Sequence, residues 1–219
     1  YAKDQKPILK GITMHVKPGE TIAFVGESGA GKSTLLNMII GFLMPEKGSL
    51  LIDGMDSRSI NLRSYRRFIA VVPQSTVLFS GSIRDNITYG LEHVTEEEIQ
   101  QAVRAANLEE MLQKLPDGLD TMVGSHGDKL SGGQRQRISI ARALIRNPQV
   151  ILFDEATSAL DSISEKLIQD ALQNLTKGKT TFLVAHRLST IRSADKIAVL
   201  RDGMCVEFGT WDELMQKKG

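Results

Sequence analysis

Gly26-Glu27-Ser28-Gly29-Ala30-Gly31-Lys32-Ser33 has the spacing G-x-x-x-x-G-K-[ST]. It stands between an apolar run, Thr21 to Val25, and a helical stretch, Ser33 to Phe42. Glycines at these intervals let backbone N–H groups converge on phosphate oxygens, and a helix starting where they end adds the positive end of its dipole. Lys32 brings a full charge to β- and γ-phosphates, and the Ser33 hydroxyl suits Mg²⁺. The loop from Gly26 to Thr34 therefore reads as a site for ATP with Mg²⁺. A second group of residues lies downstream, where Val150-Ile151-Leu152-Phe153 runs into two carboxylates, Asp154 and Glu155. An aspartate ending a buried strand beside such a loop can hold Mg²⁺ through its water shell. Glu155, pointing to the other side, is placed to polarise an attacking water as general base.

Both groups need a sheet to carry them. Thr21 to Val25 is a short continuous apolar run, as expected of a buried strand, and Leu50 to Ile52, Ile69 to Val72, Thr180 to Val184 and Ile197 to Leu200 are further strands. Ile8 to Val16 alternates and is expected to form an edge or antiparallel strand. Leu200 to Val206 turns on Asp202-Gly203 and reads as a hairpin. Strands alternating with helical stretches favour a largely parallel sheet. Between Thr88 and Leu115 the pattern becomes helical, with Ile99, Ala102, Val103 and Ala106 on one face and a capping box at Thr95 and Glu98. Ser131 to Arg146 is another helix, entered through Ser131-Gly132-Gly133 and closed before Pro148. The expected fold class is α/β: a phosphate-loop NTPase core with a mostly parallel sheet, an antiparallel β subdomain and an inserted α-helical subdomain. Core and β subdomain take about 1–73 and 146–219, and the helical subdomain about 74–145.

The chain has 219 residues, enough for a single domain with a subdomain. Its 27 basic and 26 acidic residues are interspersed and leave a net charge of +1, so no field of one sign argues for nucleic acid or an anionic membrane. Cys205 is the only cysteine, which excludes an internal disulfide and a multi-cysteine metal site. The longest mostly apolar run, Leu35 to Met44, is far short of the ~20 residues a membrane-spanning helix needs. Opening at Tyr1 without an initiator methionine or leader, the chain reads as a fragment of something longer.

Leu130-Ser131-Gly132-Gly133-Gln134 precedes Asp154 by about twenty residues, and with it the sequence resembles the nucleotide-binding domain of ATP-binding cassette (ABC) transporters. Physically this signature is a second anion site: a serine hydroxyl, two glycine N–H groups and a helix N-terminus, without a lysine. The resemblance implies a head-to-tail dimer, with two ATP molecules between one subunit's phosphate loop and the other's Ser131, Gly132, Gly133 and Gln134. It also implies roles for other residues. Gln74 in Val-Val-Pro-Gln reaches Mg²⁺ or the attacking water, and its loop meets the transport domain. Ser158-Ala159-Leu160-Asp161 crosses the dimer interface. His186 in Val-Ala-His-Arg contacts the γ-phosphate and Glu155. Tyr1, 25 positions before Gly26, stacks on adenine.

Gln74 to Ile87 and Ala185 to Asp195 resemble exporter-type cassettes, in which this domain follows about six membrane helices. The resemblance thus implies an ATPase on the cytoplasmic face of a membrane, driving export through a transmembrane domain missing from the fragment. Two departures stand out: Val123-Gly124-Ser125 carries serine where exporters usually have glutamate, and Trp211 replaces a common histidine. A competing function is a soluble cassette ATPase acting on nucleic acid or ribosomes through Arg135, Arg137, Arg142 and Arg146. Another is a regulatory module without turnover, against which Lys32, Asp154, Glu155 and His186 argue. His15, His93 and His126 carry no such signal.

Overall fold

The computed structural model describes residues 7–73, 75–154, 162–185 and 188–216. In chain order its elements are β1 (Thr21–Val25), α1 (Lys32–Ile39), β2 (Leu51–Ile52), β3 (Met55–Asp56), α2 (Leu62–Tyr65), β4 (Ile69–Val72), α3 (Ile83–Ile87), α4 (Glu96–Ala105) and α5 (Glu109–Gln113). There follow α6 (Gly132–Leu144), β5 (Val150–Asp154), α7 (Ser162–Thr176), β6 (Thr180–Val184), α8 (Leu188–Arg192), β7 (Lys196–Arg201), β8 (Met204–Gly209) and α9 (Trp211–Gln216). The chain divides into two compact units. One takes the described residues of 1–69, 150–154 and 178–219, the other those of 70–149 and 155–177.

The first unit is built on a sheet running β5-β6-β1-β7-β8. β1 lies parallel to β6 on one side and β7 on the other, and β5 lies parallel to β6. These strands are the apolar runs of the sequence, and they are apolar because helices cover a parallel sheet on its faces. Ile22, Ala23 and Phe24 of β1 are fully buried. Ile22 and Phe24 pack in one cluster with Leu35, Leu36 and Ile39 of α1, Leu152 of β5, Val184 of β6 and Leu200 of β7. Each such side chain contributes about 2 kcal/mol by leaving water, so the cluster fixes the exit direction of β1 and the entry of α1. β8 returns antiparallel to β7 around Asp202-Gly203, with an irregularity between Val199 and Leu200. A second antiparallel pair, β2 with β3, turns on Asp53-Gly54.

Residues 8–16 are not the strand that their alternation predicts. Gly11 makes only an isolated parallel bridge to Met204. Lys10 and Gly11 both donate their N–H to the carbonyl of Gly203, so the segment wraps the β7–β8 turn and forms no ladder. Its alternating apolar residues, Leu9, Ile12, Met14 and Val16, still pack against the core cluster, which accounts for the pattern.

The second unit is helical. α6 packs against α7, α3 and α4. α4 begins at Thr95 with the expected capping box and buries Ile99, Ala102 and Val103. α3 begins with another box, in which Ser82 Oγ accepts from the Asp85 N–H and Asp85 accepts from the Ser82 N–H.

Candidate functional site

The phosphate-type loop leaves the C-terminal end of β1, a central strand of the first unit's sheet, where open α/β sheets place their ligands. Its two bends need glycine. Gly26 has φ 153° and a Cβ there would lie 2.1 Å from the carbonyl oxygen of Leu200; Gly31 has φ 103° and a Cβ would lie 2.5 Å from Leu9 Cδ2. The loop can therefore lie directly on β7 and on the Leu9 segment. Glu27, Ser28 and Gly29 are exposed at its tip, while Ala30, Gly31 and Lys32 are buried. Lys32 is only 7% exposed, and its ammonium donates to the carbonyls of Gly26 at 2.7 Å and Glu27 at 2.9 Å. The lysine thus arches over the loop that precedes it and holds its charge where the loop closes.

Gly31 is the N-cap of α1 and offers no side-chain cap, and the first turn carries no acidic residue. Backbone N–H groups of a first turn have no intrahelical acceptor. With the dipole end, they make the loop and Ser33, which is exposed, an anion site. Thr34 follows in the same turn.

Asp154 ends β5 on the same edge of the sheet. It pairs with Val184, which pairs with Phe24. Asp154 thus stands level with a residue two before Gly26, across two strand spacings of about 5 Å each. It is half-buried. The donors that the first unit offers, a hydroxyl at Ser33 and a carboxylate at Asp154, are hard oxygens of the kind Mg²⁺ takes.

The signature lies in the second unit. Ser131 is the N-cap of α6: its Oγ accepts from the Gln134 N–H at 3.2 Å, while its own N–H donates to Gln134 Oε1 at 2.8 Å. This box occupies the third amide of the helix and leaves those of Gly132 and Gly133 without an intrahelical acceptor. The two glycines differ. Gly132 is exposed, whereas Gly133 is buried, and a Cβ on it would lie 2.9 Å from Ser164 Cβ in α7. The N-terminus of α6 is thus an exposed anion site backed by a close helix contact.

Tyr1, Gln74, Glu155, Asp161 with Ser158 to Leu160, and His186 lie outside the described residues. The arginines of α6, and Arg146 just beyond it, are all engaged within the second unit. Arg135 donates to the carbonyls of Leu130 and Gly127, and Arg137 to those of Gly133 and Asn107. Arg142 donates to the carbonyl and side-chain oxygens of Asn86, both at 2.7 Å, and lies over the Phe79 ring; Arg146 donates to the Tyr89 carbonyl. Asn86 is 1% exposed and ties the segment before α3 by accepting from the Phe79 N–H and donating to the Phe79 carbonyl. Sequence reasoning missed Asn86, Gln136 and Thr76. The spacings Ser82-x-x-Asp85 and Ser131-x-x-Gln134 were signals for both further capping boxes.

Comparison with known proteins decides the family: the description "ABC transporter" matches residues 9–158. The chain belongs to the ABC transporter family. It is 49% identical over its whole length to an ATP-dependent lipid A-core flippase of Syntrophus aciditrophicus, of which it covers 36%. It is 50% identical to human ATP-binding cassette sub-family B member 5 over 97% of its length, covering 17% of that protein. A solved structure, a bacterial Atm1-family ABC exporter with ATP bound, matches all of the chain and 38% of its own with a TM-score of 0.91 at 42% identity. The chain thus spans about a sixth to about a third of the length of these relatives. It is an ABC ATPase domain, with the phosphate-loop NTPase fold, and binds ATP. No helix among the described residues is long and apolar enough to cross a membrane.

Proposed function

We propose that this ABC domain powers an exporter, hydrolysing ATP at sites shared between two copies of the chain. The observation that carries the reading is that one chain holds two unlike anion sites. One is a lysine-bearing loop ahead of the uncapped helix α1, and the other is an exposed, lysine-free N-terminus on α6. A head-to-tail pair of identical chains supplies each nucleotide with one of each.

On this reading Gly26, Glu27, Ser28, Gly29, Ala30, Gly31, Lys32, Ser33 and Thr34 hold the triphosphate, and Tyr1 stacks on the adenine. Lys32 is held at the loop's closure by two carbonyls and exchanges part of that bonding for phosphate oxygens. Ser33, Asp154 and Gln74 would hold Mg²⁺, which would supply charge neutralisation at the phosphates. Glu155 takes the proton of the attacking water, and His186 contacts the γ-phosphate and Glu155. Ser131, Gly132, Gly133 and Gln134, with Asp161 at the interface, complete the partner's site. The names of the relatives, a lipid flippase and an ABC exporter among them, support coupling to a transmembrane domain at the cytoplasmic face of a membrane. The soluble, nucleic-acid-binding alternative is weakened, because Arg135, Arg137, Arg142 and Arg146 each donate to acceptors of their own unit.

Lys32→Ala tests the phosphate loop. Its loss removes one charge-assisted bond to phosphate, worth about 1.5–3 kcal/mol, so ATP affinity measured by calorimetry should fall at least tenfold. Unchanged affinity would remove the assignment.

A further inference from the structure

We infer that Thr76 and Gln136 form a link that fixes the loop following Gln74 to α6, and that both are positioning residues for hydrolysis. This rests on the reading of Gln74 as a contact to Mg²⁺ or the attacking water. Gln136 lies on α6 and is 4% exposed. Its Oε1 accepts from the Thr76 hydroxyl at 2.5 Å, across 60 positions of sequence. Its buried Nε2 has no acceptor among the described residues.

A methionine of similar shape would fill this helix–loop contact without burying a polar group. What Gln136 supplies that an apolar side chain cannot is a directional acceptor for Thr76. The frame behind it is fixed: Arg137 and Arg142 tie α6 to the carbonyls of Asn107 and Asn86. Thr76 stands two residues from Gln74, within about 7 Å of chain at full extension, so holding its hydroxyl restricts where the Gln74 amide can reach. Beyond it the stretch is already anchored, by the fully buried Leu78 and by Asn86 bonding the Phe79 backbone, so Thr76 extends that anchorage toward Gln74.

The test uses the full chain with Thr76→Val, Thr76→Ser, Gln136→Met, the Thr76→Val/Gln136→Met double variant and, beside them, Gln74→Ala. Thr76→Val and Gln136→Met should each lower kcat about tenfold, the rate equivalent of 1.4 kcal/mol, with KM for ATP within twofold. Thr76→Ser should keep at least half of the wild-type kcat, and the double variant should fall no further than the worse single. Wild-type kcat in Thr76→Val, failure of Thr76→Ser to keep at least half of the wild-type kcat, or multiplicative losses in the double variant overturn the link. Gln74→Ala separates the two failures. Slow Gln74→Ala with wild-type Thr76→Val sinks the link alone, whereas wild-type Gln74→Ala removes the role the link is said to serve and overturns both.

Discussion

The two glycines of the signature should behave as opposites when each is replaced by alanine. Gly133 has helical backbone, so alanine there gains about 1 kcal/mol of helix propensity. Against that, its Cβ would sit 2.9 Å from Ser164 Cβ and 3.0 Å from Ser164 Oγ, where carbon atoms prefer about 3.5–4.0 Å. A Cβ is anchored to its backbone and cannot rotate away, so α6 and α7 must part by most of an ångström. Overpacking of this size costs about 1–3 kcal/mol, and the loosened helix pair sheds further contacts. We therefore expect Gly133→Ala to destabilise by about 1–2 kcal/mol net, a fall in Tm of roughly 2–8 °C for a chain of this length. Gly132→Ala, at the exposed first position of α6, should be neutral or slightly stabilising. The assay is thermal and urea unfolding of both variants and of Gly133→Ala/Ser164→Gly, which removes the colliding atoms. The double variant should recover at least 1 kcal/mol relative to the sum of the singles. Equal stability of the two glycine variants, or simple additivity in the double, would refute the packing argument.

Two pH-dependent effects follow from the first unit. Glu20 accepts from the Lys17 N–H at 2.8 Å and from the Lys196 ammonium at 2.9 Å. The Lys17 amide first, and Lys196 next, hold its carboxyl below the usual value near 4.5. The stabilisation is therefore present above the ordinary glutamate range and lost as pH falls through the lower folded value. Glu20→Gln should cost about 1 kcal/mol at neutral pH, a surface-screened figure, and nothing in acid; a penalty persisting in acid would contradict the ion pair. Tyr65 donates to the carbonyl of Ile39, and burial, with Asp53 nearby, pushes its hydroxyl up to about 12. Its stabilisation holds below the ordinary value near 10 and is lost as pH rises through about 12. Ultraviolet titration should show a tyrosine ionising near pH 12 that vanishes in Tyr65→Phe; its persistence in that variant would refute the assignment.

The parts of the fold governed by local rules were legible in the sequence. β1, the glycine loop and α1 follow from a buried apolar run, glycines at required bends and a helix that starts at Lys32. The Thr95 box and the turn at Asp202-Gly203 follow from short-range hydrogen bonding and positive φ. Residues 8–16 were misread because alternation reports which side chains are buried, not whether the backbone pairs; there the N–H groups converge on one carbonyl of a turn. Thr76 with Gln136, and Asn86 with Arg142, were invisible because partners 60 and 56 positions apart meet only when α3 and the segment before it pack on α6. Of the candidate site, the loop and the signature were readable as motifs. That Gly133 serves a helix contact while Gly132 faces solvent needed coordinates.

The central claim is that each ATP is hydrolysed between the loop of one chain and the α6 N-terminus of another, and complementation tests it most directly. Lys32→Ala disables a chain's own loop; Ser131→Arg disables what it lends to its partner. Each variant alone should hydrolyse ATP at background rate. After equimolar subunit exchange, half of the dimers are mixed, and each mixed dimer holds one site with both halves intact, so the activity should rise to about a quarter of wild type by two-fold symmetry. A mixture no more active than the separate variants, with mixed dimers verified by mass, would contradict the shared site.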